Sequence, residues 1–321
     1  MVRGSRIWLA AAALCLMAAP SQAQFNPQRQ ITVVVPIGAG GGVDATGRLF
    51  AEKLAERLKQ SVVVENKTGA GGIIAGDTLV NAPKDGHTLM IVSMAIAVNP
   101  HMYKMTYDTL KDFAPIAILA TAPNLLSVNA ELPAKSIQEV IALAKAKPGD
   151  LKYASSGVGT FMHLGPELFK SMAGVDILHV PFRGAGPALI DVVAGNTQMS
   201  FASVPSTISH IRSGKLRGLG VGGLKRSFAL PDVPTIDESG VAGYQCANWI
   251  GLVAPTGTPQ PIIEKLHKEL TAAQDSPELK RAFENEGADE VRMTPAGFGA
   301  FIASETAKWG KVVREAGVKP Q

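Results

Sequence analysis

The chain has 321 residues, 46% of them hydrophobic and 6% aromatic, with a formal net charge of +4 at neutral pH. No Lys/Arg run is long enough to make a nucleic-acid stripe, so nucleic-acid partners are excluded. The 33 glycines and 21 prolines fall between periodic segments rather than in one block, which describes a loop-rich folded α/β protein long enough for two domains.

The N-terminus reads as a secretory signal peptide over residues 1–23. Arg3 and Arg6 form a basic start, Ile7 to Ala19 is uncharged and apolar, and Pro20 breaks it. Ser21 and Ala23 put small residues at −3 and −1 of a cut after Ala23, and the stretch is short of the about 20 apolar residues of a membrane span. Leu14 before Cys15 argues against lipidation. Cleavage leaves Cys246 as the only cysteine, so the mature chain has no internal disulfide.

Ile31–Val35 is a β-branched strand ended by Pro36. The glycine loop Gly38-Ala39-Gly40-Gly41-Gly42 follows, then a helix with Ala45, Leu49, Leu54 and Leu58 on one side. Val62–Val64 is a second strand, followed by the loop Gly69-Ala70-Gly71-Gly72 and a short helix through Leu79. Leu89–Val92 is a third strand, and this order predicts a parallel sheet with crossover helices. Ser136 and Glu139 form a capping box for a helix to about Ala146. Lys152–Ala154 leads into Ser155-Ser156-Gly157-Val158-Gly159-Thr160 and a helix carrying His163 and Phe169, which Pro166 should kink or shorten. Strands follow at Ile177–Val180 and Met199–Ala202, with a helix through Val193 between them. Thr258-Pro259, Ser276-Pro277 and Thr294-Pro295 each read as an N-cap with proline at N1, opening three helices expected on the outside.

Each glycine loop joins a strand end to a helix start, where free N–H groups and the helix dipole favour an anion. Gly40-x-Gly42-x-x-Ala45, with Glu65 at the end of the second strand, also fits a dinucleotide fingerprint. Export and the second glycine loop just beyond Glu65 count against a nicotinamide cofactor. No G-x-S-x-G elbow, H-E-x-x-H or paired cysteine is present, so neither a metal nor a cofactor is expected. Ser155, Ser156 and His163 suggest a Ser–His site with no identifiable third member. Asp44, in the first helical turn, favours the dipole and ties the loop.

The chain resembles the tripartite tricarboxylate transporter substrate-binding receptors, the TctC or Bug family, from about Ile31 to Val318. The resemblance rests on Val35-Pro36 through Gly42, Asp44 and Arg48; Val64-Glu65-Asn66-Lys67 with Gly69 to Gly72; and Asp85-Gly86-His87-Thr88-Leu89. It continues through Lys111 to Pro115, Tyr153 to Thr160 with His163-Leu164, His179 to Gly184, Leu230 to Thr235 and Trp249 to Pro259.

The resemblance implies a type II periplasmic binding protein fold, with two α/β domains and the ligand cleft between them. Domain 1 would be discontinuous, residues 24–122 and 220–321, and domain 2 would be residues 123–219, with crossings near Thr121–Leu125 and Arg217–Val221. It also implies that the first glycine loop and the Ser-Ser-Gly loop pinch a ligand carboxylate from opposite domains. The expected binding set is Gly40, Gly41, Gly42 and Asp44; Gly71 and Gly72; Ser155, Ser156, Gly157, Thr160 and His163; and Arg183 and Ala202. Arg183 stands where many relatives have Lys, and Ala202 where relatives that take amino-bearing ligands have Asp. The expected function is a periplasmic receptor, a monomer, that binds a small organic carboxylate and serves a membrane permease or a sensor. The alternative is an exported α/β enzyme with a nucleotide or Ser/His site.

Overall fold

The computed structural model describes residues 25–26, 28–39, 42–286 and 288–318. The leader, its cleavage point, Gly40 and Gly41 therefore lie outside the described residues.

The first part of the chain forms β1 (Ile31–Val35), α1 (Gly42–Leu58), β2 (Val62–Asn66), α2 (Ile73–Val80), β3 (Thr88–Ser93), α3 (Ala95–Met102) and α4 (Thr109–Asp112). A 17-residue strand, β4 (Phe113–Asn129), comes next. It is followed by α5 (Ile137–Ala146), β5 (Lys152–Ser155), α6 (Phe161–Ala173), β6 (Leu178–Pro181), α7 (Ala185–Val193), β7 (Met199–Ser203), α8 (Val204–Arg212) and β8 (Leu216–Val221). The chain closes with β9 (Ala247–Pro255), α9 (Gln260–Ala273), α10 (Pro277–Glu286) and α11 (Pro295–Glu315).

The sheet order is β2-β1-β3-β9-β4-β7-β5-β6, with β8 also paired to β4. Two parallel trios, β2-β1-β3 and β7-β5-β6, carry the predicted crossover helices. The sheet is mixed, however. β9 runs antiparallel to β3 and β4, and β4 runs antiparallel to β7 and β8. β4 belongs to both halves: Phe113–Pro123 pairs with β9, and Asn124–Val128 pairs with β7. Pro115 stands beside one register shift in β4, and Pro123 sits at the change of partner.

Burial explains the elements. The run Val33, Val34 and Val35 is covered on both faces, as parallel strands are, whereas edge strand β2 alternates between half-buried and exposed. Helix α1 seats Phe50, Ala51 and Leu54 against β1. Cys246 is a buried free thiol, and burial pushes its pKa up to about 12.

Three local expectations shift. Ser136 Oγ accepts from Glu139 N–H at 3.2 Å, but Glu139 Oε2 reaches back to Lys135 N–H, one residue earlier than the box predicts. Thr294 caps α11 as expected, accepting from Gly297 N–H at 3.1 Å. Thr258 instead donates its hydroxyl to the Pro255 carbonyl, so α9 starts one residue later, at Gln260. Pro166 neither ends nor shortens α6, which continues to Ala173 and stops at Gly174 in the left-handed conformation. Helix α11 lies on the outside, as expected, with Ala303, Ala307 and Lys311 exposed, while its inner face carries Phe298, Ile302 and Trp309 into the core against α3, β4 and α6.

Candidate functional site

At the end of β1 the chain leaves through Pro36 and Ile37 toward the first glycine loop, and Gly42 opens α1. A polar strap holds this entry. Asp44 is 2% exposed and accepts from Arg48 Nε at 2.9 Å and from Asn66 Nδ2 at 2.7 Å. Asn66 Nδ2 also donates to the Ile37 carbonyl at 2.9 Å, and Arg48 donates to Asn66 Oδ1 at 2.7 Å. Asp44 thus braces the first loop from beneath. The second loop needs its glycines, since Gly69, Gly71 and Gly72 have φ of 127°, 64° and 99°. Asn99 Nδ2 donates to the Gly71 carbonyl at 2.9 Å. A side chain at Gly71 would meet the Tyr103 ring, and one at Gly72 would meet Pro36.

The third loop is the most heavily organised. Ser155 is fully buried at the end of β5, and its Oγ accepts from Gly157 N–H at 3.1 Å. Ser156 Oγ donates to Thr160 Oγ1 at 3.0 Å, and Thr160 Oγ1 donates to the Gly157 carbonyl at 2.7 Å. Gly157 has φ of 128°, which a residue with Cβ rarely adopts. Thr160 then hands over to α6, whose first amides have no carbonyl one turn earlier and point outward.

His163 does not pair with Ser155. Its Nδ1 accepts from Gly159 N–H at 3.0 Å, and the partner of Ser155 Oγ is His179 Nε2 at 2.6 Å. His179 sits on β6, beside β5, a position that the strand register marks and the helix-centred reading of the sequence overlooks. Burial holds both imidazoles down to about 4; Lys170 adds to this at His163, and His163 adds to it at His179. The fully buried Ser155 hydroxyl has no open face for a substrate.

A cavity of about 510 Å³ opens between the two halves. Ile37, Val43 and Thr46 border it from the first loop and α1, and Ser156, Phe161 and Met162 from the third loop and α6. Ala120 to Ala122, Asn248 and Ile250 form its floor on β4 and β9, and Ser203 and Ser206 close one end. None of the described residues lining it carries a charge. Of the expected set, Ser156 borders this cavity, and Gly42 and Thr160 adjoin residues that do. Ala202 lies one layer below, fully buried in an apolar cluster with Met162, Leu189 and the flanking Phe161 and Ala185. Arg183 is exposed and makes no hydrogen bond or ion pair with a described residue. Gly71 and Gly72 bear on Tyr103 and Pro36, and His163 faces a separate surface groove with Glu167, Lys170 and His179. Among the described residues no His, Cys, Asp and Glu cluster could hold a metal ion.

Two α/β halves, crossover strands between them and a cleft at the strand ends define a type II periplasmic binding protein. The chain matches the tripartite tricarboxylate transporter family receptor, TctC, over residues 46–318, and it belongs to that family. It is 38% identical over 317 residues to a protein in the tcbD-tcbE intergenic region of Pseudomonas sp. (strain P51), covering 97% of this chain and 94% of that one. The solved structure of R. palustris Rpa4515 with adipate aligns with a TM-score of 0.78 at 36% identity, covering 92% of this chain and 99% of that one. MatC from Rhodopseudomonas palustris with bound malate aligns with a TM-score of 0.73 at 33% identity, covering 90% and 100%. The protein is an exported solute receptor, not an enzyme.

Proposed function

We propose that this receptor binds a small organic carboxylate in the cleft between its halves and passes it to a membrane permease of the tripartite tricarboxylate type or to a sensor. The observation that carries the reading is the cavity bounded by the first loop on one side and by Ser156 and the start of α6 on the other. A helix start and a hydroxyl supply what a carboxylate needs without a fixed cation. The relatives Rpa4515 with adipate and MatC with malate support the same ligand class.

The uncharged lining also bears on selectivity. A buried ammonium is costly unless paired, and no described lining residue offers a carboxylate, so acids without an amino group are favoured. The binding residues are Ser156 and Thr160 with the backbone of Gly40, Gly41, Gly42 and Gly157. Asp44, Ser155 and His163 brace them, and Gly71 and Gly72 shape the neighbouring loop. Arg183 reaches a ligand only through a movement of its loop, and Ala202 sets the depth beneath Phe161.

The two lobes divide near Pro123–Asn124 and again near Val221–Gly222. The change of partner in β4 supports the first point. The bonds from Gly222 N–H to the Asn124 carbonyl and from Cys246 N–H to the Gly222 carbonyl, each 2.8 Å, support the second. The mature protein begins after Ala23 and works as a monomer in the periplasm.

A thermal-shift panel of mono-, di- and aromatic carboxylates tests the ligand class. A true ligand at about 100 times its Kd adds roughly 2.7 kcal/mol of stability. Stabilisation by the matching esters or amides alone would exclude a carboxylate pinch.

A further inference from the structure

Beneath the third loop three rings are stacked. Tyr153 of β5 lies on His179 of β6, with centroids 4.9 Å apart and planes 17° apart. His179 lies on His163 of α6, at 4.0 Å and 18°. Each imidazole spends one nitrogen on the loop above. His179 Nε2 meets Ser155 Oγ, and that oxygen in turn accepts from Gly157 N–H. His163 Nδ1 accepts from Gly159 N–H. The loop is thereby tied at Ser155, Gly157 and Gly159, and Ser156, between two of these ties, faces the cleft.

The His163 contact fixes its chemistry. An amide N–H can only donate, so Nδ1 must carry a lone pair and the ring proton sits on Nε2. A charged His163 would set N–H against N–H at 3.0 Å. The other ionisable groups around the stack are Tyr153, Glu167, Lys170 and Asp176. Glu167 accepts from Tyr153 Oη at 2.6 Å and pairs with Lys170 at 2.9 Å, so this neighbouring pair is close to neutral. The adjoining Ala316 to Val318 segment brings no charged side chain.

We propose that His163 and His179 are positioning residues for the ligand loop, each holding one of its turns through an uncharged ring nitrogen. The proposal rests on the third loop being part of the carboxylate site. It predicts that the hydrogen-bond acceptor at position 163 matters and the ring does not. Asn at 163 keeps an oxygen near the place of Nδ1; Phe keeps the stacked ring and removes the acceptor.

The test has two readouts. The first uses ligand-free protein and nitrogen-15 NMR. His163 should show the Nε2-protonated tautomer, and Gly159 amide exchange should be slow at neutral pH. That exchange should speed up in His163→Phe, stay slow in His163→Asn, and accelerate in the wild type as His163 titrates. The second is calorimetry with adipate and malate at pH 7.5. His163→Phe should bind about tenfold more weakly, the effect of one lost hydrogen bond on the loop, with native circular dichroism, while His163→Asn stays within about threefold of wild type. His179→Gln and His179→Phe should divide in the same way. An unchanged Gly159 amide in His163→Phe, or full affinity in that variant, overturns the proposal. If the amide responds as expected but no acid of the thermal-shift panel binds wild-type protein, the positioning role stands and the carboxylate reading fails by itself.

Discussion

Replacing Gly222 by alanine should loosen the junction between the halves. Asn124 stands in β4 where its partner changes from β9 to β7, and it is fully buried. Its Nδ2 donates to Tyr244 Oη at 2.9 Å, and that hydroxyl donates to the Gly165 carbonyl at 3.1 Å. A Cβ on Gly222 would come 1.9 Å from Asn124 Oδ1 and 2.7 Å from the Cys246 carbonyl oxygen. Neither can retreat easily. Cys246 is bonded through its N–H to Gly222 and through its carbonyl to Asn124 N–H at 3.2 Å, and Gly165 stands behind the Asn124 amide at 2.6 Å from Nδ2 to an added Cβ. Overpacking of about 1–3 kcal/mol adds to the cost of pulling Asn124 off Tyr244, for a total near 3 kcal/mol. In a chain of this size that lowers Tm by roughly 5 °C in scanning calorimetry. Gly214→Ala is the control. Gly214 has φ of 73° with nothing within 4 Å of an added Cβ, so only backbone strain of about 1 kcal/mol applies. In an Asn124→Ala background the cost of Gly222→Ala should shrink to that of the contact with the Cys246 carbonyl, because the clash with Oδ1 has gone. A midpoint within a degree of wild type, or a larger fall for Gly214→Ala, would refute the reasoning.

The buried histidines give the fold an acid limit. His163 and His179 have folded pKa values of about 4, below the ordinary 6.5, so the unfolded chain binds more protons between those values. Their contribution is complete above about pH 6.5 and lost as pH falls toward 4, and since a charge on one ring disfavours a charge on the other the two losses are coupled. Urea titrations at pH 7 and 4.5 should show this fall, and His163→Asn with His179→Gln should flatten it; an unchanged slope in the double variant refutes the assignment. Adipate or another stabilising acid should reduce the radius of gyration in small-angle scattering as the lobes close, and equal values with and without ligand argue against a hinge. Ala202→Asp should lower Tm sharply, because it buries a carboxylate among Met162, Leu189 and Phe161. A stable variant with new affinity for amino acids would instead place position 202 at the ligand.

Local chemistry was legible in the sequence wherever one residue type has one use. The glycines of 69–72 mark positive φ, Thr294-Pro295 marks a helix start, and the Ser155 to Thr160 run marks a strand-to-helix corner. The long strand β4 was hidden. Prolines argue against a strand and β4 contains both Pro115 and Pro123, and its residues are largely buried, so no alternation shows. The start signal of α11 says nothing about what its inner face meets; Trp309 donating to Glu305 at 2.9 Å within the core is a tertiary fact. The same holds for Ser155. Sequence proximity suggested His163, eight residues on, while strand pairing brings His179 to it.

The two-way membership of β4 has a consequence for the order in which the chain can fold. β3 needs β9 at its side, and Met90 pairs with Val253. The N-terminal half therefore cannot complete its sheet until nearly all of the second half has been made. Contacts this distant in sequence are slow to form and give little stability to a partial chain. In an exported receptor this wiring favours a late-folding chain, the state in which a polypeptide can be threaded across a membrane. Once outside, the same wiring makes both lobes fold together, and a cut between Pro123 and Asn124 would leave neither fragment with a complete sheet.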